Sequence, residues 1–338
     1  MTVLILYNQP SGDRADADVL TQLAWVRCEL DELGYQTEQF EVTLDLTPLD
    51  RVLRAQRPES VVYLVESLAG TDSLLHLPAH LLEAHDVPFT GSSGTVLKSL
   101  TSKSNVKQRL LSAGLPTPAW LDVHGKFYGQ FAEGPYIIKA DREHASRGLD
   151  QTSVMEAKNV EELRRLCEER SRLLRLPCLA ERFVPGREFN IALLDHGDGS
   201  PAVLPLAEIN FAALPSEHVP IVDWNAKWAE DSVEYNGTPR SFPNMCTQPQ
   251  LHEQLQGIAA RCWQLFGVTG FARVDVRVDS NDQAWILEIN ANPCLSPDAG
   301  FLAACHAARL ASQEVMQRLL TAAMSNSNGY VSRTFNSA

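Results

Sequence analysis

Hydrophobic and polar positions alternate with a period of two over residues 271–278 and again over 284–290, with the polar cluster Asp279-Ser280-Asn281-Asp282 between them. That pattern predicts a β-hairpin. In the first arm Val274, Val276 and Val278 alternate with Arg273, Asp275 and Arg277. In the second, Trp285 and Leu287 alternate with Ile286, Glu288 and Asn290. Successive strand residues face opposite ways, so Arg273 shares a face with Asp275, and Glu288 shares one with Asn290. If those faces coincide, two carboxylates, an amide and a guanidinium converge. On spacing alone, the run reads equally well as a hairpin with a solvated charged face.

Upstream the period changes repeatedly. Residues 3–7 and 61–65 are short apolar runs that read as buried strands. Residues 20–33 and 76–85 carry a helical period; Gly34 ends the first, and Pro78 is tolerable only in the first turn of the second. This rhythm over 1–90 predicts an open, largely parallel sheet, with ligands at the carboxyl ends of its strands, residues 8–14 and 66–72. A turn over 88–93 leads into a helix over 95–113 that carries Lys98, Lys103 and Lys107 and closes at Gly114. Leu115-Pro116-Thr117-Pro118 forbids its continuation.

Residues 136–139 read as a strand ending in Lys139, followed by a polar segment, 140–148. A salt-bridge-laced helix over 160–176 comes next, then strands over 178–184 and 188–194 around Pro185-Gly186, and a strand-like run over 201–209. Residues 212–248 have weak periodicity, and a loop that long is usually functional or mobile. Helices are predicted over 251–266 and 301–324, and the tail 325–338 reads as frayed. The chain has no internal repeat.

At 338 residues the chain can form two or three domains. Its 42 acidic and 29 basic side chains give a formal charge of −13, which disfavours a general nucleic-acid or anionic-membrane surface. No apolar run reaches the roughly 20 residues that span a bilayer. The start MTVLILYNQP has neither a basic segment nor a cleavage pattern and reads as a buried strand. Seven scattered cysteines without CxxC pairs predict reduced thiols in the cytoplasm and give a zinc site little support.

Oxygen ligands on a hairpin suit Mg²⁺, which takes a few carboxylates together with phosphate oxygens. Lys103, Lys139 and Lys227 each read singly as surface lysines; together with an acidic metal site they could neutralise a polyphosphate. Neither GxxxxGK[ST] nor GxGxxG occurs, so a P-loop and a dinucleotide fingerprint are unsupported.

Several segments, in order, resemble the ATP-grasp superfamily and, within it, the D-alanine–D-alanine ligase-like branch. They are PFTGS (88–92), the Lys103 helix with AGLPTP (113–118), YIIKADREHASRG (136–148), AERFVPGREFN (180–190), NAKW (225–228) and FARVDVRVD…WILEINANP (271–293). The resemblance implies an α/β ATP-grasp fold of three domains. These are an N-terminal Rossmann-like open sheet (1–94), a small central α+β domain (95–184) and a C-terminal α+β domain (185–324), with a flexible tail (325–338). ATP would lie between the last two. It implies that Asp275, Glu288 and Asn290 hold two Mg²⁺ (or Mn²⁺) ions and that Lys103, Lys139 and Lys227 touch the phosphates. Segment 143–148, with Ser146, would close over them; here His144, Ala145 and Arg147 depart from the family's glycine- and serine-rich loop, and Arg147 would add a phosphate contact of its own. Glu181, Phe183 and Val184 would form the adenine hinge through strand backbone, and Glu188 would hold the ribose. Arg273 would stabilise the acyl phosphate and the tetrahedral intermediate, with Lys227 beside it. A homodimer is the common state of such relatives.

The substrate half departs from the family. The first loop, residues 7–13, lacks the family's glutamate, the phosphate-loop serine is Ala145, and the loop tyrosine is Trp228. After the hairpin, Cys294 replaces a glycine and Ala299 replaces a serine. Cys294 reads as a packed small residue or a catalytic one. The expected activity is therefore an ADP-forming carboxylate–amine ligase acting on small molecules such as amino acids or short peptides, and not strict D-Ala-D-Ala synthesis. Ser296 and Asp298 are candidates to hold an amine or hydroxyl, and Glu66, Asp13 or Arg14 to face the first substrate. Two alternatives stand beside this: ATP-dependent condensation of an amino acid with a carbonyl or enol, and a nucleotide-binding regulator without turnover.

Overall fold

The computed structural model describes residues 2–10, 12 and 14–334, and its strands form three sheets. The first sheet contains β1 (Thr2–Asn8), β2 (Gln36–Val42) and β3 (Ser60–Leu64), parallel and ordered β2-β1-β3. Val3, Leu4, Ile5 and Leu6 are at most 1% exposed, because helices cover both faces of a parallel sheet and a continuous apolar run fills it. Edge strand β2 was not legible, since QTEQFEV is mostly polar and buries only Val42 completely. α1 (Arg14–Glu32) starts well before residue 20, α2 (Thr47–Gln56) follows β2, and α3 (Leu77–Ala84) takes Pro78 in its first turn.

The single helix predicted over 95–113 is two, α4 (Gly94–Thr101) and α5 (Lys103–Ser112). Ser102 between them is extended, and its hydroxyl accepts from Asn105 N–H and donates to Asp141 Oδ2. Asp141 Oδ1 also accepts from Ser104 N–H at 2.8 Å, so the second sheet fixes the break. The break makes Lys103 the first residue of α5 and brings it against the segment that follows Lys139.

That second sheet holds β4 (Trp120–Leu121), β5 (Phe127–Tyr128), β6 (Gly134–Ala140), β7 (Val154–Ala157) and β8 (Cys178–Arg182), all antiparallel and ordered β5-β4-β8-β6-β7, with α6 (Val160–Leu174) packed on it. The third contains β9 (Arg187–Asp195), β10 (Pro201–Val203), β11 (Ala207–Ile209), β12 (Arg240–Ser241), β13 (Phe271–Val278) and β14 (Ala284–Asn290). The strand-like run 201–209 is thus two short strands. The weakly periodic stretch 212–248 is not structureless: it forms α7 (Trp224–Trp228), α8 (Val233–Gly237) and β12.

α9 (Pro249–Phe266) buries Leu255, Ile258 and Cys262 in one core with Val274, Val276, Ile286 and Ile289 of the hairpin. The final helix divides into α10 (Gly300–Ala307) and α11 (Ser312–Thr334). α11 runs on past 324, where a frayed tail was expected; within that tail residues 335–338 lie outside the described residues. Val315, Met316 and Leu319 of α11 pack with Val3 and Ile5 of β1 and Val19 and Val26 of α1, tying the end of the chain to its first sheet. Among the described residues no helix is long and apolar enough to cross a membrane.

Candidate active site

The hairpin register sets Arg273 opposite Asn290 and Asp275 opposite Glu288. Directly opposed residues share a face, so the two polar faces read from the alternation coincide. The alternation of the second arm is broken, however. A bulge between Asp275 and Val276 turns Ile286 into the core and puts Leu287 beside Glu288 on the cavity wall. Arg273 grips Asp275 bidentately (Nε to Oδ1 2.7 Å, Nη2 to Oδ2 2.8 Å), and Asn190 Nδ2 donates to the same Oδ1 at 2.9 Å. Burial drives the Asp275 carboxyl upward, and the Arg273 fork pulls it back towards the charged form. Burial works against Glu288 as well, but Lys103, His144, Lys227 and Lys139 overcome it and hold that carboxylate well below its usual range.

These groups border one cavity of about 640 Å³. Lys103, Lys139, Ser146, Glu181, Phe183, Val184, Glu188, Lys227, Arg273, Asp275, Glu288 and Asn290, the full set expected from the sequence, all line it. Lys103 donates to the Glu143 carbonyl. Lys139 pairs with Glu181, whose other oxygen meets Lys107. Lys107 itself is fully buried; its sequence context, a polar helix face, gave no sign of this. Lys107 also donates to Thr117 Oγ1 at 2.8 Å. Burial pulls it down to about 8, and the shared Glu181 only partly restores it. Burial and the Arg273 charge lower Lys227, which projects from α7.

Glu181 departs from its expected hinge role. Its backbone lies inside the ladder, opposite Trp120 and Ile137, and its carboxylate serves as a tether for two lysines. The hinge lies just beyond: Phe183 N–H is spent on Pro135 O and the Val184 carbonyl accepts from Arg277, while Val184 N–H has no partner among the described residues. Arg277, 3% exposed, organises this end. It donates to Glu188 at 2.9 Å and to Pro220 O, and stacks between Phe183 and Phe211. Gly186 holds the strand there in a close approach, since a Cβ would sit 2.1 Å from Val278 O.

The segment over 143–148 is tied down on both sides. Asp72 Oδ2 accepts from His144 N–H at 2.6 Å, Thr71 Oγ1 donates to Glu143 at 3.1 Å, Ser146 Oγ donates to Val222 O, and Trp228 Nε1 donates to Ala145 O. Ala145 and Ser146 both have positive φ, 53° and 60°, an arrangement glycine takes more cheaply. Burial first, then neighbouring Asp72, raises the Glu143 carboxyl to about 7.

At the far end of the cavity Asp18 accepts from Ser296 Oγ at 2.8 Å and Cys294 Sγ at 2.9 Å. Gln22 accepts from Leu295 N–H and donates to Glu66 at 3.0 Å. Cys294 is raised well above a free thiol by burial and by the Glu66 and Asp18 charges, so it is not poised as a thiolate. Glu66, Ser296 and Asp298 line the cavity, but the Ser296 hydroxyl is committed to Asp18. Arg14 instead donates to Trp228 O at 2.8 Å, and Asp13 lies outside the described residues. The roles of Asp18, Asn190, Lys107 and Arg277 escaped the sequence reading because their partners Ser296, Asp275, Glu181 and Glu188 are remote in the chain.

Among the described residues no group of three or more His, Cys, Asp or Glu side chains could hold a metal ion. Two opposed carboxylates and an amide form a smaller, all-oxygen set. That fits Mg²⁺, which keeps few protein ligands and completes its shell with phosphate oxygens and water.

Residues 129–321, more than half of the chain, match the family described as D-ala D-ala ligase C-terminus. A D-alanine–D-alanine ligase from Bordetella avium is 28% identical over 294 residues, covering 86% of this chain and 84% of that protein. One from Methylacidiphilum infernorum is 24% identical over 94% of both. The structure of the Bacillus anthracis D-alanine–D-alanine ligase complexed with ATP matches with a TM-score of 0.73, over 97% of this chain and 99% of that one, at 16% identity. The Coxiella burnetii enzyme matches with a TM-score of 0.70 over 99% and 97%. The shared architecture is the three-domain ATP-grasp fold.

Proposed function

The chain belongs to the D-alanine–D-alanine ligase family of ATP-grasp enzymes, and from that premise we propose that it joins a carboxylate to an amine in an ADP-forming reaction, with Mg²⁺ and an acyl phosphate intermediate, on substrates other than two D-alanines. The observation that carries the reading is the convergence of the Asp275–Glu288 pair, Asn290 and three lysines on one cavity with Arg273.

A carboxylate is a poor electrophile, and phosphorylation by ATP makes it one. In this reading Val184 N–H and the Arg277-braced Phe183 hold the adenine, Glu188 takes the ribose, and Lys103, Lys139 and Lys227 align and neutralise the phosphates. Asp275, Glu288 and Asn290 would hold Mg²⁺, which when bound offsets charge on the phosphoryl oxygens. Ser146 and its loop exclude water. Arg273 spends Nε and Nη2 on Asp275, leaving Nη1 for the oxyanion formed when the amine attacks.

The substrate part of the proposal is supported by the far end of the cavity. Ala299 brings no hydroxyl to the start of α10, the Ser296 hydroxyl is taken by Asp18, and Asp18 and Glu66 bring two carboxylates there. The test is ADP release from MgATP with pairwise mixtures of amino acids of both configurations, the product being identified by mass. No ADP above background in any mixture overturns the ligase reading. Efficient D-Ala-D-Ala synthesis from D-alanine alone overturns the substrate part. With an enolisable ketone added to the mixtures, ADP release that requires the ketone, and a product lighter than ketone plus amino acid by one water, would identify a carbonyl condensation instead.

A further inference from the structure

We propose that Arg240 binds a carboxylate carried by the amine substrate, and so selects α-amino acids or other carboxylate-bearing amines as acceptors; this rests on the ligase reading above.

Arg240 reaches the cavity from β12, a two-residue strand held on the sheet edge by pairing with Ile209 and Glu208 on β11. Among the described residues its side chain hydrogen-bonds only a neutral acceptor, the Asp298 carbonyl, at 3.3 Å, and no carboxylate lies within ion-pair distance of it. Arg240 is solvent-exposed at the cavity edge, and crowding by its surroundings first, then the charge of Arg273, disfavour its cation. Two guanidinium groups beside one cavity favour an anion between them; the Asp298 charge offsets part of their repulsion but forms no ion pair with Arg240. Arg273 has already given two of its nitrogens to Asp275. Arg240 has its planar fork largely uncommitted, the geometry suited to a carboxylate.

Room for this fork is made by Gly300 at the start of α10, where a Cβ would stand 3.4 Å from Nε and Nη2. Ala299 before it lines the cavity and adds no side-chain cap, so the start of α10 keeps N–H groups without a side-chain acceptor, an end that favours negative charge. The charges that act on Arg240 are Arg273, Asp298 and Tyr235, with none of the three phosphate-end lysines among them. Arg240 itself sits against Asp298 and Gly300, just past Ser296, whose hydroxyl Asp18 holds at the far end of the cavity. An amine that attacks at Arg273 comes from that side, and a carboxylate one carbon away from it falls towards Arg240.

The experiment uses the full chain. From the amino-acid panel one active carboxylate donor is fixed, and ADP release is followed with amine acceptors in matched pairs, the free amino acid and its carboxamide. The wild type should prefer the free acid. In Arg240→Ala the KM for the free acid should rise about ten- to hundredfold, the scale of a lost charged hydrogen-bonded contact. The KM for the carboxamide and for ATP should hold, kcat should change little, and Arg240→Lys should recover part of the loss. An unchanged preference between acid and amide overturns the assignment. So does an equal loss for both acceptors, which marks a structural role, or a raised KM for ATP, which assigns Arg240 to phosphate. Absence of ADP with every pair in the wild type overturns the parent reading instead, and the assignment with it.

Discussion

Lys107 offers a quantitative test of how the cavity wall is built. It is fully buried, meets Glu181 and donates to Thr117, yet its ammonium is pulled from 10.5 down to about 8. A base whose proton is held less tightly in the folded state is a burden whenever it is charged. That burden is complete below pH 8 and is relieved as the pH rises from 8 to 10.5. At about 1.4 kcal/mol per unit it amounts to about 3 kcal/mol. Lys107→Met keeps the volume and removes the charge. It leaves one Glu181 oxygen without its partner, which costs about 1–3 kcal/mol. At neutral pH the variant should therefore be as stable as the wild type or up to about 2 kcal/mol more stable. Glu181→Gln should lose about 3–5 kcal/mol, because it strands buried cations. Adding Lys107→Met to it should restore at least about 2 kcal/mol of that. Urea unfolding of the four proteins between pH 6 and 10.5 measures all of this. A Lys107→Met variant more than about 1 kcal/mol less stable at neutral pH, with the wild-type gain between pH 8 and 10.5 intact, would refute the reasoning.

Other outcomes follow from the same geometry. Glu288→Gln should abolish ADP release while leaving the fold intact by circular dichroism, because it removes the charge that Lys103, Lys139 and Lys227 surround; full turnover would sink the metal and phosphate assignment. Glu143 keeps its proton up to about pH 7, whereas the unfolded chain releases it near 4.5, so the wild type should lose stability as pH rises through that window. Glu143→Gln should lack that loss in parallel thermal melts, and identical slopes would contradict the raised value. Arg277→Ala should raise the KM for ATP by at least about tenfold, since a buried arginine paired to Glu188 and stacked on Phe183 leaves both unsupported. Ala299→Ser alone should not create D-Ala-D-Ala synthesis, and robust dipeptide formation in that variant would show the rest of the subsite to be already suited to it.

The alternation over 271–290 was enough to read a hairpin and to group the polar residues within each arm, because a period of two leaves only two faces to choose from; the register across the arms made those faces one. It could not reveal the bulge at Leu287, where an apolar residue stands next to Glu288 on the cavity side. A helical period over 95–113 hid a break at Ser102, since that residue fits the helix pattern locally and is pulled out of it only by Asp141 on another element. The stretch 212–248 looked featureless because α7 and α8 are five residues each, too short to show a period.

The sequence by itself determined that Arg273 shares a face with Asp275 and Glu288 with Asn290 and, through its resemblance to the ATP-grasp superfamily, which lysines belong with them. These are set by local periodicity and by residue types that each phosphate and metal contact requires. Tertiary structure decided what each group is free to do. Glu181 became a tether because Lys107 and Lys139 arrive from two different elements. Asp18 became the clasp of the loop after the hairpin, 278 positions away in sequence to Ser296. Arg240 was left without a carboxylate because β12 holds it across from Gly300. Charge compensation and burial depend on distances between remote segments, and no local pattern in the chain encodes them.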